Sequence, residues 1–238
     1  MTLRSGTLPP DAVREMFDRI SPVYDAMNRV MTFGLDGRWR TLAAKAVVRP
    51  GDRVLDVCCG TGDLAVADER AGGHVTGLDF SERMLARARR KPSSIEWVRG
   101  DALALPFEDG SFEAVTVGFG VRNLADLEVG FGELGRVLVP GGRLACLEIT
   151  RPRGLLRPFF RLWFDGVVPL LGRILPGGVA YTYLPASVRR FPSAADLAEL
   201  MTQAGFADVR WHNLGGGIVA LHVGTARHGR AVPIEGRR

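Results

Sequence analysis

The chain of 238 residues and 25.8 kDa is long enough for one doubly wound α/β domain with an appendage, and short for two independent domains. Its composition, 46% hydrophobic and 24% charged, excludes a disordered or fibrous protein, and no run of about 18 apolar residues predicts a membrane-spanning helix. The net charge of +5 rests almost wholly on arginine, and its dispersion along the chain argues against a nucleic-acid-binding protein.

The first part of the chain is predicted to be helical. Residues 11–20 carry apolar residues at i, i+3, i+4 and i+7, which is the spacing of one helical face. A second helix is expected over residues 42–48, ahead of a Pro-Gly breaker pair. Residues 1–50 are therefore predicted to form an N-terminal helical segment that covers the ligand site of the following domain, 51–226. A flexible tail, 227–238, is expected after it.

From residue 53 onward, short β-branched runs alternate with helical patterns. The five runs are RVLDV (53–57), HVTGLD (74–79), IEWV (95–98), AVTVG (114–118) and RLACLEI (143–149). Helical signals lie between them, including Ser81 as an N-cap and an apolar face from Leu127 to Leu138 before a Pro-Gly-Gly breaker. This alternation is typical of βαβ units in a parallel sheet.

The end of the domain differs, because two strand-like runs follow each other without a helix between them. Ser193 and Asp196 open a helix as a capping box, and the runs 207–212 and 217–224 then flank a Leu-Gly-Gly connection that suits a hairpin. The sequence thus predicts an α/β fold: a doubly wound, mostly parallel seven-stranded sheet with one antiparallel strand, plus N-terminal helices and a helical insertion.

Residues 150–192 interrupt the alternation with an unusually apolar and aromatic stretch. Arg157, Arg161 and Asp165 fall at i+4 steps, which leaves aromatic and aliphatic residues over the rest of a helix circumference. Two interpretations stay open: helices packed on the sheet edge, or a helical lid over a hydrophobic substrate that rests on a membrane interface.

The strongest chemical signal is VLDVCCGTGDLAVA at 54–67, a strand, a glycine turn and the start of a helix. Gly60, Gly62 and Ala65 satisfy the G-x-G-x-x-G/A pattern, and Asp79 ends the next strand. A glycine turn permits close backbone approach, and the acid can accept hydrogen bonds from ribose hydroxyls. The pattern fits both a nicotinamide dinucleotide and S-adenosylmethionine (SAM).

Charge favours SAM over a dinucleotide at this turn. Asp56 and Asp63 flank the turn, where they would repel a pyrophosphate and attract a sulfonium group. Two unit charges about 4 Å apart at an effective dielectric of about 20 interact by about 4 kcal/mol, enough to discriminate between ligands of opposite sign. After the third strand, the Asp101 carboxylate is placed to accept from an adenine amino group, with the N–H of Ala102 donating to the ring.

Several longer segments carry a family resemblance. They are MFDRISPVYDAMNRVMTFGLDGRWR (16–40), GDALALPFEDGSFEAV (100–115), FGVRNLAD (119–126), RVLVPGGRL (136–144), YTYLPASVRRFP (181–192) and NLGGGIVALH (213–222). Through them the chain, over roughly residues 13–226, resembles the ubiquinone/menaquinone biosynthesis C-methyltransferase family (UbiE/MenG type), which comprises class I SAM-dependent methyltransferases of Rossmann-like fold. One position departs from the family pattern: Gly118 stands where serine is common, so a hydroxyl contact to the cofactor is lost.

The resemblance implies transfer of a methyl group from SAM to a ring carbon of a demethylated polyprenyl quinol. Demethylmenaquinol is the expected acceptor, with the ubiquinol precursor as a second one. An NAD-dependent oxidoreductase on the same glycine turn is the alternative function. The cofactor contacts suggested by the turn and the resemblance together are Gly60, Thr61, Gly62, Asp79, Asp101 and Ala102.

The resemblance also nominates Arg122, Asn123 and Tyr24 near the quinol head, as the catalytic residues. Because arginine keeps its proton, Arg122 is expected to stabilise a phenolate or orient water, while Asn123 and Tyr24 orient that water or the ring. Structural roles stay open for each of the three: a surface ion pair for Arg122, a helix N-cap for Asn123 and a core position for Tyr24.

The remaining residues suggest no further chemistry. No metal is expected, since no Cys, His or Asp residues have metal-ligand spacing, and Cys58, Cys59, Cys146 and His222 are interpreted as packing residues. The first residues lack the apolar core of a secretory signal, which predicts a cytoplasmic protein. The lipid-soluble quinol that the resemblance implies adds the expectation of a peripheral position at the inner face of the membrane. The expected partners are the lipid-soluble quinol and, transiently, a membrane surface, with no nucleic acid; a homodimer stays open.

Overall fold

The computed structural model describes residues 9–152 and 178–227, together with 158, 160, 162 and 166. Its α-helices are α1 (Pro10–Ile20), α2 (Tyr24–Met31), α3 (Asp36–Val47), α4 (Asp63–Arg70), α5 (Glu82–Ala88), α6 (Leu127–Arg136), α7 (Gly178–Arg190) and α8 (Ala194–Gln203). Its strands are β1 (Arg53–Val57), β2 (His74–Asp79), β3 (Glu96–Arg99), β4 (Phe112–Gly118), β5 (Leu138–Ile149), β6 (Phe206–Leu214) and β7 (Val219–Ala226).

The strands form one sheet in the order β3-β2-β1-β4-β5-β7-β6. Strands β1 to β5 pair in parallel, whereas β7 is antiparallel to both β5 and β6. The predicted mostly parallel, seven-stranded sheet with one antiparallel strand is confirmed. The strand order reverses between β1 and β4, so the carboxyl ends of these strands border a crevice, the place where open α/β sheets bind ligands.

Helices cover both faces of the sheet, which explains why most residues of β1 and β4 are buried. On one face Phe131 of α6 and Leu197 of α8 pack on β1 and β4. On the other face Trp39 of α3 and Leu64 of α4 pack on β1 and β5. In β1 all four residues after Arg53 are buried. Full burial of each large aliphatic side chain contributes about 1.5–3 kcal/mol to this core.

The predicted helix caps are confirmed. The Ser81 hydroxyl accepts the N–H of Met84 at 3.1 Å and so begins α5. Ser193 and Asp196 form a reciprocal capping box at the start of α8, each side chain accepting the backbone N–H of the other. Such caps satisfy backbone donors that have no partner within the helix, which fixes where each helix begins.

Two element boundaries differ from the sequence prediction. Leu138, expected on the helical face of α6, begins strand β5 and pairs with Phe112 of β4. The Pro-Gly-Gly segment does not end a helix but forms an irregularity inside β5, with Gly141 at φ +75°. Helix α3 begins at Asp36, well before the expected residue 42, and an ion pair between Asp36 and Arg40 stabilises this added turn.

The apolar segment 150–192 is described in part. Helix α7 occupies its end, and Leu184 and Val188 form a cluster with Met27, Met31 and Phe160. Arg157, Arg161 and Asp165, which carried the i+4 pattern, lie outside the described residues, as does most of the predicted tail. None of the described helices is long and apolar enough to cross a bilayer.

Candidate active site

Two cavities meet beside the glycine turn. The polar cavity, of about 460 Å³, is bordered by residues that follow β1, β2 and β3, among them Gly60, Asp79 and Asp101. The apolar cavity, of about 420 Å³, lies among α1, α2, α3 and α7. Three side chains border both cavities: Phe17, Tyr24 and Phe119. Ligands bound in the two cavities would therefore meet at this junction.

The turn between β1 and α4 requires its glycines. Gly60 and Gly62 have φ values of +56° and +84°, a backbone conformation that other residues rarely adopt. A Cβ atom on Gly62 would overlap the ring of Trp97, so the indole packs directly on the backbone. The turn thus keeps its backbone at the edge of the polar cavity, where Gly60 borders it.

Asp79 ends β2 and points into the polar cavity. One oxygen accepts the N–H of Gly60 at 2.8 Å, and the other accepts the N–H of Ser81 at 2.9 Å. Burial raises the pKa of Asp79 to about 6, against the opposing effect of these hydrogen bonds. Near pH 7 Asp79 is therefore a fixed carboxylate with lone pairs left for two further donors, such as ribose hydroxyls.

The third predicted cofactor position follows β3. The Asp101 side chain is held by the N–H of Leu103, which donates to it at 2.9 Å, and Ala102 beside it is buried. Both border the polar cavity, and so does Asp11 of α1. The guanidinium groups of Arg14 and Arg99 border the cavity as well, and Arg14 forms an ion pair with Asp11 at 3.1 Å. Asp79 and Asp101 are therefore the carboxylates of this cavity that have no arginine as an ion-pair partner among the described residues.

Arg122 lies at the wall of the apolar cavity, in a short 3₁₀ turn after β4. Its Nη1 atom donates to Glu148 Oε1 at 2.7 Å and to the carbonyl oxygen of Phe119. Burial alone would lower the pKa of Arg122, but the neighbouring Glu148 carboxylate raises the pKa above its ordinary value. The guanidinium therefore keeps its positive charge at the wall of an otherwise apolar cavity.

Tyr24 and Asn123 are the other two predicted catalytic residues. Tyr24 borders both cavities, while Asn123 borders the polar cavity and accepts the hydroxyl of Tyr183 at 3.1 Å. Asn123 is not a helix N-cap, because the cap of α6 is Asp126, whose side chain accepts the N–H of Val129. Polar groups thus lie at the junction as well as on the wall of the apolar cavity.

Comparison of the sequence with known proteins assigns the chain to a family. A sequence model described as the ubiE/COQ5 methyltransferase family matches residues 6–226. The chain belongs to this family. It is 48% identical over 218 residues to a demethylmenaquinone methyltransferase of Thermus thermophilus, covering 88% of this chain and 99% of that protein. It is 47% identical over 225 residues to one of Deinococcus radiodurans, covering 91% and 93%.

A solved structure resembles this ubiE/COQ5 family member in fold. It is a SAM-dependent methyltransferase from Thermotoga maritima, with a TM-score of 0.67 and 23% sequence identity, covering 90% of this chain and 99% of that chain. Membership in the family decides between the two interpretations of the glycine turn: the protein is a SAM-dependent methyltransferase.

Of the four carboxylates that the sequence analysis placed near the cofactor of this methyltransferase, Asp56 and Asp63 lie elsewhere. Asp56 is fully buried beneath the turn, next to Thr116, and Asp63 forms an ion pair with Lys91. Neither borders the cavity, whereas Asp79 and Asp101 do. Both residues flank the turn in sequence, but α4 carries Asp63 towards Lys91 and the Asp56 side chain lies in the core.

Two of the predicted cofactor residues, Thr61 and Gly62, do not border the polar cavity but stabilise the conformation of the turn. Gly62 makes room for Trp97, and Thr61 is buried, with its hydroxyl donating to Asp25 of α2 at 2.6 Å. Lys91 forms ion pairs with Asp25 and Asp63 at the same place. The glycine turn is therefore tied to α2, which forms a wall of the apolar cavity.

Gly118 and Cys58 shape the edge of the polar cavity. A Cβ on Gly118 would lie 3.0 Å from Leu64, so a larger residue there requires this leucine to move. Cys58 has a φ of +57°, and burial raises the pKa of its thiol well above the ordinary value. The thiol thus stays protonated, which agrees with its interpretation as a packing group and not as a nucleophile.

Sequence reasoning missed Glu148 and Phe119. Glu148 is 1% exposed, and its signal was a lone carboxylate in the apolar run of β5. Phe119 has a φ of +60°, uncommon for a bulky residue, and its ring lies under the guanidinium of Arg40 at 5.4 Å. No periodicity in the sequence reveals such a backbone conformation.

Proposed function

We propose that the protein transfers the methyl group of SAM to a ring carbon of a demethylated polyprenyl quinol, with demethylmenaquinol as the acceptor. The observation that carries this proposal is the junction of two cavities: one has Asp79 and Asp101 at the strand ends, and the other is apolar and has the buried Arg122 at its wall. The names of the relatives from Thermus and Deinococcus agree with it. The ubiquinol precursor, with its benzenoid ring, is the second acceptor that the resemblance implies, and the test below includes it.

In the proposed complex, SAM lies in the polar cavity. Asp79 accepts its ribose hydroxyls, Asp101 accepts the adenine amino group, and the N–H of Ala102 donates to the adenine ring. The sulfonium methyl then faces the junction at Phe17, Tyr24 and Phe119.

The quinol head lies in the apolar cavity beside Arg122. Loss of a hydroxyl proton gives a phenolate, whose ring carbon attacks the methyl group. The methyl–sulfur bond breaks as the carbon–carbon bond forms, and S-adenosylhomocysteine leaves as a neutral thioether. The ring carbon then loses its proton and becomes aromatic again. The charge of Arg122 stabilises the phenolate, and Tyr24 and Asn123 orient the ring or a water that carries the proton.

The test combines purified protein, labelled SAM and demethylated acceptors of both ring classes. Reduced naphthoquinol should be methylated on the ring carbon, and mass spectrometry of the product locates the methyl group. The oxidised quinone should not react, because it lacks the electron-rich carbon. Transfer to an oxygen, equal reaction of the oxidised form, or no transfer to either quinol would contradict the proposal.

We propose further that the protein works at the cytoplasmic face of a membrane, where such a quinol is dissolved. Exposed apolar residues at the mouth of the apolar cavity support this location. A polyprenyl tail is insoluble in water, so a substrate in free solution would be too scarce for turnover.

A further inference from the structure

Exposed apolar side chains are concentrated in one short part of the described chain, the turn between α2 and α3 with its flanking helices. Phe33 in this turn is 77% exposed. The large exposed hydrophobic residues of this stretch are Val30, Phe33, Leu35 and Leu42. Single exposed apolar residues are ordinary, but a group of four within one turn and its flanks marks an interaction surface.

This surface is continuous with the mouth of the apolar cavity. Phe33 and Leu35 border the cavity, and so does Leu162, which is 68% exposed. A molecule that enters the cavity from outside therefore passes these side chains. We call Arg29, Val30, Phe33, Leu35, Arg38 and Leu42 the rim patch.

The backbone presents the patch outward. Phe33 has a φ of +52°, in the left-handed region that a bulky residue rarely adopts, and Gly34 follows at +75°. The turn is closed by the N–H of Gly34, which donates to the carbonyl oxygen of Arg29 at 2.8 Å. A strained aromatic residue held in an exposed position is typical of a site with a binding role.

The charge of the rim patch is positive throughout. Arg29 and Arg38 are exposed, and Lys45 lies exposed one turn beyond Leu42. The only carboxylate between residues 26 and 47 is Asp36, which is buried and bound by Arg40 and Thr32. Apolar side chains flanked by cations, without an exposed acid, match the interface of an anionic bilayer.

We propose that the rim patch docks on an anionic lipid bilayer and inserts Phe33 and Leu35 into the interface, so that the apolar cavity opens towards the lipid. This inference rests on the proposed quinol substrate and specifies how that substrate reaches the site. A second copy of the chain fits the surface less well, because a two-fold interface would bring Arg29 and Arg38 of both copies together.

The test measures co-sedimentation with vesicles of phosphatidylcholine alone and of phosphatidylcholine mixed with phosphatidylglycerol. Two double variants remove the two features separately: Arg29→Gln with Arg38→Gln, and Val30→Ser with Leu42→Ser. None of these four residues borders either cavity. The matched controls are Arg90→Gln and Trp211→Ser, an exposed cation and an exposed aromatic residue outside the patch.

Wild-type protein and both controls should bind the anionic vesicles better than the neutral ones. Each patch variant should bind the anionic vesicles at least about tenfold more weakly. Turnover of a polyprenyl quinol in vesicles should fall in parallel, while turnover of a water-soluble quinol without a tail stays unchanged. Failure of every quinol to react would refute the proposed function and leave the vesicle measurement valid.

Three results would overturn the inference itself. The first is wild-type protein that does not bind the anionic vesicles. The second is a pair of patch variants that bind as well as wild type. The third is a dimer, seen by analytical ultracentrifugation, that the patch variants dissociate and that does not bind the vesicles; the surface would then be an interface between copies of this chain.

Discussion

The two oxygen atoms of Asp79 accept hydrogen bonds from the backbone, and in the proposed complex they also accept them from the ribose of SAM. Hydrogen bonds from Gly60 and Ser81 fix its orientation, and burial raises its pKa to about 6. A protonated carboxyl would have to donate where a ribose hydroxyl also donates, so only the ionised form suits the cofactor. The charge state of one residue therefore controls binding in the polar cavity.

SAM affinity is expected to depend on pH through Asp79. The bound state requires the carboxylate, so the dissociation constant should be nearly constant above about pH 7 and rise by up to about tenfold per unit as pH falls below about 6. Isothermal titration between pH 5 and pH 8 measures this. The Asp79→Asn variant should bind SAM weakly, and its dissociation constant should not change with pH in this range. A dissociation constant of the wild-type protein that does not change between pH 5 and pH 8 would contradict the role of Asp79.

At the scale of the elements, the side chain of Glu148 in β5 holds the 3₁₀ turn Val121–Asn123 in place through hydrogen bonds to Arg122. Glu148 of β5 accepts Arg122 Nη1 at 2.7 Å, the backbone N–H of Arg122 at 3.2 Å and the N–H of Ile149 at 2.8 Å. The pair is buried, with side-chain exposures of 8% for Arg122 and 1% for Glu148. Breaking such a pair leaves an uncompensated charge, which costs about 3–5 kcal/mol.

Glu148→Gln should reduce kcat by at least about tenfold, with the dissociation constant of SAM unchanged, because Arg122 loses its fixed position beside the phenolate. Arg122→Ala should show the same pattern. The control is Glu113→Gln: its partner Arg53 is exposed, so solvent screens the pair, and neither residue borders a cavity. Equal kcat for Glu148→Gln and wild type would exclude the positioning role.

The elements themselves could be predicted from the sequence wherever local chemistry determines them. β-branched runs gave β1 and β2 with their observed ends, and side-chain caps gave the start of α8. Where tertiary contacts decide, the prediction was wrong: Leu138 has helical spacing but pairs with Phe112 in the sheet. The spacing of apolar residues predicts which face of an element is buried. It does not predict which other strand or helix packs against that face.

For the site, the sequence placed Asp79 and Asp101 at strand ends, and the sheet brings them to one cavity. The hydrogen bond from the Thr61 hydroxyl to Asp25 could not be predicted, because helix α2, which carries Asp25, is distant from Thr61 in sequence. Glu148 was missed for the same reason: its partner Arg122 lies 26 residues away. Long-range polar pairs depend on the assembled fold, which local patterns do not encode.

At the scale of the whole molecule, a pair of buried acids affects stability. Asp56 and Asp68 are both inaccessible to solvent, and the Thr116 hydroxyl donates to Asp68 at 2.6 Å. Burial raises the pKa of Asp68 to about 8 and also raises the pKa of Asp56. The folded protein thus binds a proton that the unfolded chain releases near pH 4, so its stability falls as pH rises from about 4 to about 8.

Asp68→Asn should remove part of this dependence, because the amide is neutral in both states. Its free energy of unfolding should exceed that of wild type by more at pH 9 than at pH 5, with a difference of at least about 1 kcal/mol. Urea denaturation at the two pH values measures this. Glu108→Gln, at an exposed acid, should show no such difference. A gain for Asp68→Asn that is equal at both pH values would contradict the buried, protonated state.

The meeting of the two cavities is tested most directly by a crystal structure with S-adenosylhomocysteine and a reduced demethylated naphthoquinol bound together. The ribose should contact Asp79, the sulfur should face Phe17, Tyr24 and Phe119, and the quinol ring should lie beside Arg122 with its free carbon directed at the sulfur. A quinol bound outside the apolar cavity, or a sulfur directed away from the junction, would contradict this arrangement.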